Sequence, residues 1–177
     1  MNRAKIVGGV FVLAVIVGIV ALAKPLRIES RGVEVGNRVP EYAALDLAGT
    51  DVSFEDYLGQ VVLVNVWATW CGPCRVEMPS IQAVHERYRD QGFTVLAVSI
   101  DAGPGHRDKV IEFAEEYELD FPILLDPEGR IGGIFQTVGV PETFVLDREG
   151  RIVKRLIGAT NWDSKGNQAL IEELLRI

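Results

Sequence analysis

Residues 61–74 read VVLVNVWATWCGPC, and this stretch decides the fold of the chain. Its first part, Val61 to Trp67, is a continuous β-branched run of the kind that forms a central strand buried on both faces. Two cysteines follow after a short connection, and the segment 73–89 then carries apolar residues at helical spacing. The pattern predicts a buried strand, a tight turn and a helix that has both cysteines of the chain at its start.

The start of a helix is a favourable place for thiol chemistry. It presents unpaired N–H groups and about half a positive charge, so a thiolate there has a pKa below the free value of about 8.5. We therefore expect Cys71 to be the exposed nucleophile and Cys74 the thiol that resolves the mixed disulfide. A purely structural disulfide is the alternative, although so small a loop adds little stability.

The neighbours of the cysteines fit the same interpretation. Pro73 belongs in a first helical turn, where its missing N–H costs nothing, and Gly72 allows a partner chain to approach closely. Trp70 can shield the sulfur from water, or it can be a core residue. We predict that these three residues contact the substrate.

Strand and helix patterns alternate through the rest of the chain. Segments Tyr42–Leu47 and Val52–Phe54 flank a turn at Gly49 and predict a hairpin. The other expected strands are 93–100, 122–125, 143–147 and 151–157, and the other expected helices are 107–117, 131–135 and 164–177. This order predicts the α/β class, with a mixed sheet flanked by helices.

The motif WCGPC at 70–74, placed after a hydrophobic strand, resembles the active site of the thioredoxin superfamily. A second stretch, Val140-Pro141-Glu142-Thr143-Phe144, matches the loop of that family in which a cis proline faces the disulfide. The resemblance implies that Pro141 is cis and that its neighbours Val140 and Glu142 bind the substrate backbone with it. Glu142 is also a candidate for partner contact or proton handling. From the residues alone an ordinary turn proline is equally open, since only about 5–6 % of X–Pro bonds are cis.

Within that superfamily the chain is similar to the TlpA/ResA/CcmG branch over residues 36–177. The similarity rests on an apolar N-terminus, the N-terminal hairpin, an αβ insert at 103–126 and the stretch GVPETFVLDREGRIV at 139–153. It implies a thioredoxin-like fold and reduction of exported protein disulfides, often those of apocytochrome c in cytochrome c-type biogenesis. A membrane thiol carrier would supply the electrons, and the Cys71–Cys74 disulfide would be the redox group, with no other cofactor.

The resemblance also assigns Glu77 a role. Cytoplasmic thioredoxins carry a buried Asp six residues before the first cysteine, but Asn65 holds that place here and cannot titrate. Glu77 matches the buried glutamate of the ResA-like branch, and it shares a helix face with Cys74. By that resemblance it accepts the Cys74 proton, with a pKa raised by burial. A solvated helix glutamate is the alternative.

The N-terminal sequence predicts that the protein is located at a membrane. Residues 6–23 are 18 apolar residues without a charge, close to the lower limit for a span, and Arg3 and Lys5 precede them. The pattern favours an uncleaved anchor with the folded part outside, although Ala21-Leu22-Ala23 also fits a cleaved signal peptide. We divide the chain into this segment (1–23), a linker (24–40) and a thioredoxin-like domain (41–177).

Charge and residue spacing weigh against other functions. The net charge is −7 and no basic run occurs, which argues against nucleic acid as a partner. A C-x-x-C pair is half of many zinc sites, but there is no second pair and neither His85 nor His106 falls at finger spacing, so we predict no metal. Both histidines are expected on the surface, and Trp162 is expected to be exposed or at a rim.

Two further activities remain to be compared with disulfide reduction. Peroxide reduction would need Thr or Ser three residues before the nucleophile, where this chain has Ala68. Oxidation or isomerisation of client thiols would use the same cysteines, since potentials of such sites range from about −270 mV for thioredoxin to about −120 mV for DsbA. The Gly-Pro dipeptide matches thioredoxin and favours the reducing direction.

Overall fold

The computed structural model describes residues 32–177, so the predicted span at 6–23 and the first part of the predicted linker lie outside the described residues. The strands are β1 Ala43–Asp46, β2 Asp51–Ser53, β3 Val61–Trp67, β4 Phe93–Ser99, β5 Ile123–Leu125, β6 Glu142–Leu146 and β7 Ile152–Ile157. The helices are α1 Gly72–Tyr88, α2 His106–Glu116, α3 Arg130–Ile134 and α4 Lys165–Arg176, with 3₁₀ turns at Phe54–Tyr57 and Arg89–Gln91.

All seven strands form one mixed sheet in the order β2-β1-β5-β4-β3-β6-β7. Strands β3, β4 and β5 run parallel, whereas β6 and β7 are antiparallel on one side and the β1–β2 hairpin is antiparallel on the other. The predicted mixed sheet with an N-terminal hairpin is thus confirmed, and the fold is thioredoxin-like.

Strand β3 lies in the middle of the sheet and is buried along its whole length. Because side chains alternate across a strand, Val61, Leu63 and Trp67 pack into one core with α1, while Val62 and Val64 pack into a second core on the opposite face. The predicted strand 61–67 has the bounds that the structure shows. Its position fixes the connection to α1 at the end of the sheet where parallel strands β3 and β4 both finish.

The described end of the predicted linker belongs to the folded domain. Val33 is buried, and the backbone N–H of Gly36 donates to the carbonyl of Ile152 at 2.8 Å. Val39 donates to the carbonyl of Gly150 at 2.8 Å. The linker prediction is therefore wrong for these residues. Their backbone pairs with free backbone groups at the start of the edge strand β7 and in the turn before it.

The remaining boundaries differ from prediction by one or two residues. Phe54 starts a 3₁₀ turn rather than ending β2, because Ser53 and Asp56 form a capping box around that turn. Within residues 32–177 no helix is both long and apolar enough to span a bilayer.

Candidate active site

The two cysteines form a disulfide at the start of α1. Their sulfurs are 2.08 Å apart and their Cα atoms 5.2 Å apart. Cys71 is the N-cap residue of the helix, and its sulfur accepts a hydrogen bond from the backbone N–H of Cys74 at 3.2 Å. The Cys71 sulfur thus lies where the backbone N–H groups of the first helical turn favour negative charge.

The two sulfurs differ in access to solvent. Cys71 is 5 % exposed and Cys74 is 0 % exposed. The prediction of an exposed nucleophile is thus only partly met, because with the disulfide closed a small part of Cys71 reaches the surface. Trp70, Gly72 and Pro73 are exposed around it, and Trp70 is 67 % exposed, so its ring projects from the surface beside the disulfide.

A groove of about 510 Å³ lies beside Trp70. Its lining is mostly apolar and includes Val66, Ile100, Val138 and Val140. The Val140–Pro141 peptide bond is cis, as the resemblance implies, and Pro141 itself is buried. The structure therefore brings the predicted residues Trp70 and Val140 to one groove, and the exposed Val138, which the sequence analysis did not single out, lies there too.

The side chain of Glu142 is buried and paired within the domain. Its side chain is 0 % exposed, and one oxygen accepts a hydrogen bond from Arg155 Nε at 2.6 Å. The other oxygen accepts the backbone N–H of Val138 at 2.9 Å. The carboxylate of Glu142 is therefore not available for a side-chain contact with a substrate, because it holds the loop that carries Val138.

Glu77 is buried, 2 % exposed, and joined to a polar network beneath the cysteines. One carboxylate oxygen accepts a hydrogen bond from Asn65 Nδ2 at 2.8 Å, and the other accepts the Thr160 N–H at 3.3 Å. Asn65 also donates to Thr143 Oγ1 at 2.9 Å. The solvated-glutamate alternative is therefore excluded, because the carboxylate lies between α1 and β3.

Burial raises the pKa of Glu77 to about 7, and this effect outweighs the hydrogen bonds from Asn65 and Thr160, which favour the ionised form. A carboxyl group with such a pKa exchanges protons near neutral pH, one helical turn from Cys74.

Glu77→Gln is expected to change how stability depends on pH. The folded state holds the Glu77 proton up to about pH 7 and the unfolded state only to about 4.5. The wild type should therefore lose about 3 kcal/mol of unfolding free energy between these two pH values, and Glu77→Gln should lack this loss. Denaturant unfolding of the disulfide form at pH 4, 6 and 8 measures it.

The matched control is Glu112→Gln, which makes the same change at an exposed position of α2. It should follow the wild-type curve at every pH. If Glu77→Gln also followed that curve, the carboxyl group would titrate normally and could not serve as the proton acceptor for Cys74.

The structure also contradicts the predicted exposure of His85 and Trp162. His85 is 6 % exposed, because its ring packs edge-on against Phe121, and burial lowers its pKa. Trp162 is 0 % exposed and belongs to the core between α1 and α4. Its backbone N–H donates to Ser80 Oγ at 3.0 Å, which ties the preceding loop, including Thr160, to α1. His106 is partly exposed, as expected.

With this geometry established, comparison with known proteins identifies the family. The model of the AhpC/TSA family matches residues 35–155. The chain belongs to the AhpC/TSA family. Among its relatives are thiol-disulfide oxidoreductase ResA of Bacillus cereus, 28 % identical over 89 % of this chain and 91 % of the relative, and thioredoxin-like protein YneN of Bacillus subtilis, 37 % identical over 68 % and 70 %.

Solved structures agree with this assignment. A Chlorobium tepidum protein assigned as thiol:disulfide interchange protein DsbE matches with a TM-score of 0.73 and 30 % identity, over 80 % of this chain and 98 % of that chain. The thioredoxin domain of a thiol-disulfide oxidoreductase from Bacteroides vulgatus matches with a TM-score of 0.70 and 26 % identity, over 80 % and 98 %. Within the AhpC/TSA family this chain is a thiol–disulfide oxidoreductase of the TlpA/ResA/CcmG type.

The site differs from a peroxidase site. Ala68 stands three residues before Cys71 and is 0 % exposed, so no hydroxyl is available there to bind a peroxide. The paired cysteine at 74 is instead already bonded to Cys71. This arrangement supports disulfide exchange within the family.

Proposed function

We propose that this oxidoreductase works in the reducing direction, on disulfides of exported proteins, at the outer face of a membrane. The observation that carries the direction is the Gly72-Pro73 dipeptide between the cysteines. Gly72 has no side chain and Pro73 has no N–H, so neither adds a side-chain or proline N–H donor to the Cys71 sulfur. Fewer donors stabilise the thiolate less, which makes the reduced form a stronger reductant.

The reaction proceeds in two exchanges. The Cys71 thiolate attacks a client disulfide, a bond forms between the two proteins, and one client sulfur leaves as a thiolate that takes a proton. Cys74 then gives its proton to the Glu77 carboxylate and attacks the Cys71 sulfur. The bond to the client breaks, the second client thiolate leaves, and two electrons have moved from the enzyme to the client.

The groove beside Trp70, the residue that precedes Cys71, supports a protein client. It is concave and mostly apolar, and the exposed Trp70 and Val138 at its rim offer surface to an apolar side chain next to the client cysteine. We propose apocytochrome c before haem attachment as one such client. A membrane thiol carrier would reduce the resulting disulfide, and the enzyme would need no further cofactor or metal.

The location rests on the N-terminal sequence. The apolar run at 6–23, preceded by Arg3 and Lys5, supports a membrane anchor with the catalytic domain on the extracytoplasmic face. Intact-mass measurement of the protein from the membrane fraction distinguishes an anchor from a cleaved signal, since loss of the first 23 residues would show cleavage.

The reduction potential tests the proposed direction. We expect equilibration of the purified protein with thiol redox buffers, followed by alkylation of free thiols, to give a value below about −200 mV, nearer to thioredoxin at about −270 mV. A value in the range of protein disulfide isomerase and DsbA, about −180 to −120 mV, would make the protein an isomerase or oxidase. A value near −270 mV would lie about 90 mV below the isomerase range, which corresponds to about 4 kcal/mol.

A further inference from the structure

A buried carboxylate outside the motif lies directly beneath the turn that leads to Cys71. Asp101 follows β4, on the sheet edge where β3 also ends, and it is 3 % exposed. Among residues 32–177 no ion pair includes it. A buried carboxylate without a cation is costly unless hydrogen bonds satisfy its oxygens.

Three donors satisfy the Asp101 carboxylate. One oxygen accepts the Thr69 hydroxyl at 2.6 Å, and the other accepts the Thr69 backbone N–H and the Ser99 hydroxyl, each at 2.8 Å. The Ser99 hydroxyl in turn accepts the Asp101 N–H at 3.1 Å. Hydrogen bonds to a charged acceptor are stronger than neutral ones, so this cluster holds Thr69 firmly.

Thr69 lies inside the turn that delivers the nucleophile. The turn runs from Ala68 to Cys71 and is closed by the Cys71 N–H, which donates to the Ala68 carbonyl at 3.1 Å. Trp70, the next residue in the turn, is largely exposed and so receives little support from packing. The hydrogen bonds that Thr69 donates to Asp101 therefore hold the middle of this turn in place.

We propose that Asp101 is a positioning residue that keeps the Cys71 sulfur at the N-terminus of α1 once the disulfide has opened. In the closed form the bond to Cys74 restrains that sulfur, but the reduced form lacks this restraint. A turn anchored through Thr69 keeps the N-cap conformation of Cys71 and its contact with the Cys74 N–H. The inference rests on Cys71 being the nucleophile of the proposed function.

Substitutions at Asp101 separate positioning from charge. An Asn side chain keeps an oxygen that accepts the Thr69 N–H, and its NH₂ group can donate to the Thr69 hydroxyl, but it carries no negative charge. An Ala side chain removes the hydrogen bonds as well as the charge. If Asp101 acted through its charge alone, both variants would stabilise the Cys71 thiolate. If it acts by position, Asp101→Ala destabilises the thiolate and Asp101→Asn preserves it.

The experiment follows the alkylation of Cys71 by iodoacetamide in the reduced full chain between pH 5 and 10. We expect the midpoint of the pH–rate curve in Asp101→Ala to rise by about one pH unit, toward the free value near 8.5, with alkylation at pH 7 about five- to eightfold slower. Asp101→Asn should stay within about twofold of the wild type. A curve for Asp101→Ala within twofold of the wild type, or a downward shift in both variants, would overturn the proposal.

The matched control is Asp126→Ala. Asp126 is another buried carboxylate, and its side chain accepts the backbone N–H groups of Arg130 and Ile131 at the start of α3 rather than those of the turn at 68–71. Asp126→Ala should lower the free energy of unfolding without moving the midpoint for alkylation of Cys71. An equal shift of the midpoint in this variant would show that general destabilisation is the cause, and it would contradict a positioning role for Asp101. If Asp101→Ala does not fold, Thr69→Val removes one of the three bonds and should slow alkylation about two- to threefold; no change would overturn the proposal.

The readout is independent of the direction of catalysis. Alkylation reports on the Cys71 thiol, and it requires neither a client protein nor a measured reduction potential. A failed reductase proposal appears in the reduction potential and leaves the alkylation result interpretable. Conversely, an unshifted midpoint in Asp101→Ala removes Asp101 from the account without touching the reductase proposal.

Discussion

Cys71→Ser and Cys74→Ser are each expected to lower disulfide-reductase turnover by about 10³-fold or more, because residues that act as one unit cannot replace each other. The two variants should fail at different steps. Without Cys71 the attack on the substrate is slow, since Cys74 is fully buried. Without Cys74 the attack occurs but the mixed disulfide cannot be resolved. Turnover with insulin as substrate and dithiothreitol as electron donor measures both.

The stability of the two variants serves as the control. A disulfide that closes so short a loop contributes little through chain entropy, so both Ser variants should keep the fold and a circular dichroism spectrum like that of the wild type. Turnover above about 1 % of the wild type in either variant would show that the pair does not act as a dithiol.

Arg155→Met is expected to lower the free energy of unfolding by about 3 kcal/mol, because it leaves the Glu142 carboxylate buried without its cation. The lower end of the usual 3–5 kcal/mol range applies, since Arg155 is 25 % exposed. The guanidinium also donates to the Gln136 carbonyl at 2.8 Å, so the loop that lines the groove loses a second bond. A fall in Tm of about 6–12 °C should follow.

A double-mutant cycle separates the charge from other losses. Glu142→Gln combined with Arg155→Met should cost less than the two single changes together, because no charge is then left unpaired. Arg151→Met makes the same exchange at an exposed site of the same hairpin and should stay within about 0.5 kcal/mol of the wild type. A cost below about 1 kcal/mol for Arg155→Met would show that the carboxylate is hydrated or otherwise paired.

Local pattern was enough to predict the centre of the fold. Strand β3 was predicted with its observed bounds because seven successive buried residues, rich in β-branched side chains, fit a strand covered on both faces. The start of α1 followed from Pro73, and the helix ends at Tyr88, one residue before the end of the predicted segment 73–89. Each of these signals is complete within a few consecutive residues.

Features that depend on distant residues were not accessible in this way. Trp162 follows a polar loop without periodicity, and it is buried because α4 folds back against α1. Residues 33–39 looked like a linker because the backbone partners of Gly36 and Val39 are Ile152 and Gly150, more than a hundred residues later in the chain.

In the candidate site, too, the features within short motifs could be predicted, and the contacts between distant residues could not. The cysteines and the proline at 141 belong to short motifs, whereas the partners of Glu77 come from β3 and from the loop at 160. Asn65 offered one visible signal, as a polar residue within an apolar strand. The bond between Asp101 and Thr69 joins residues 32 positions apart, and no local pattern marks it.

The central claim is that disulfide exchange with the substrate takes place at the sulfur of Cys71. The rate of adduct formation in the two single-cysteine variants tests this claim most directly. The reduced variants are mixed with a peptide that contains a disulfide, and intact mass is followed over time. Cys74→Ser, which retains Cys71, should form the covalent adduct about a hundredfold faster than Cys71→Ser, in line with the access and thiolate character of each sulfur. Equal rates, or faster reaction of the variant that retains only Cys74, would contradict the account.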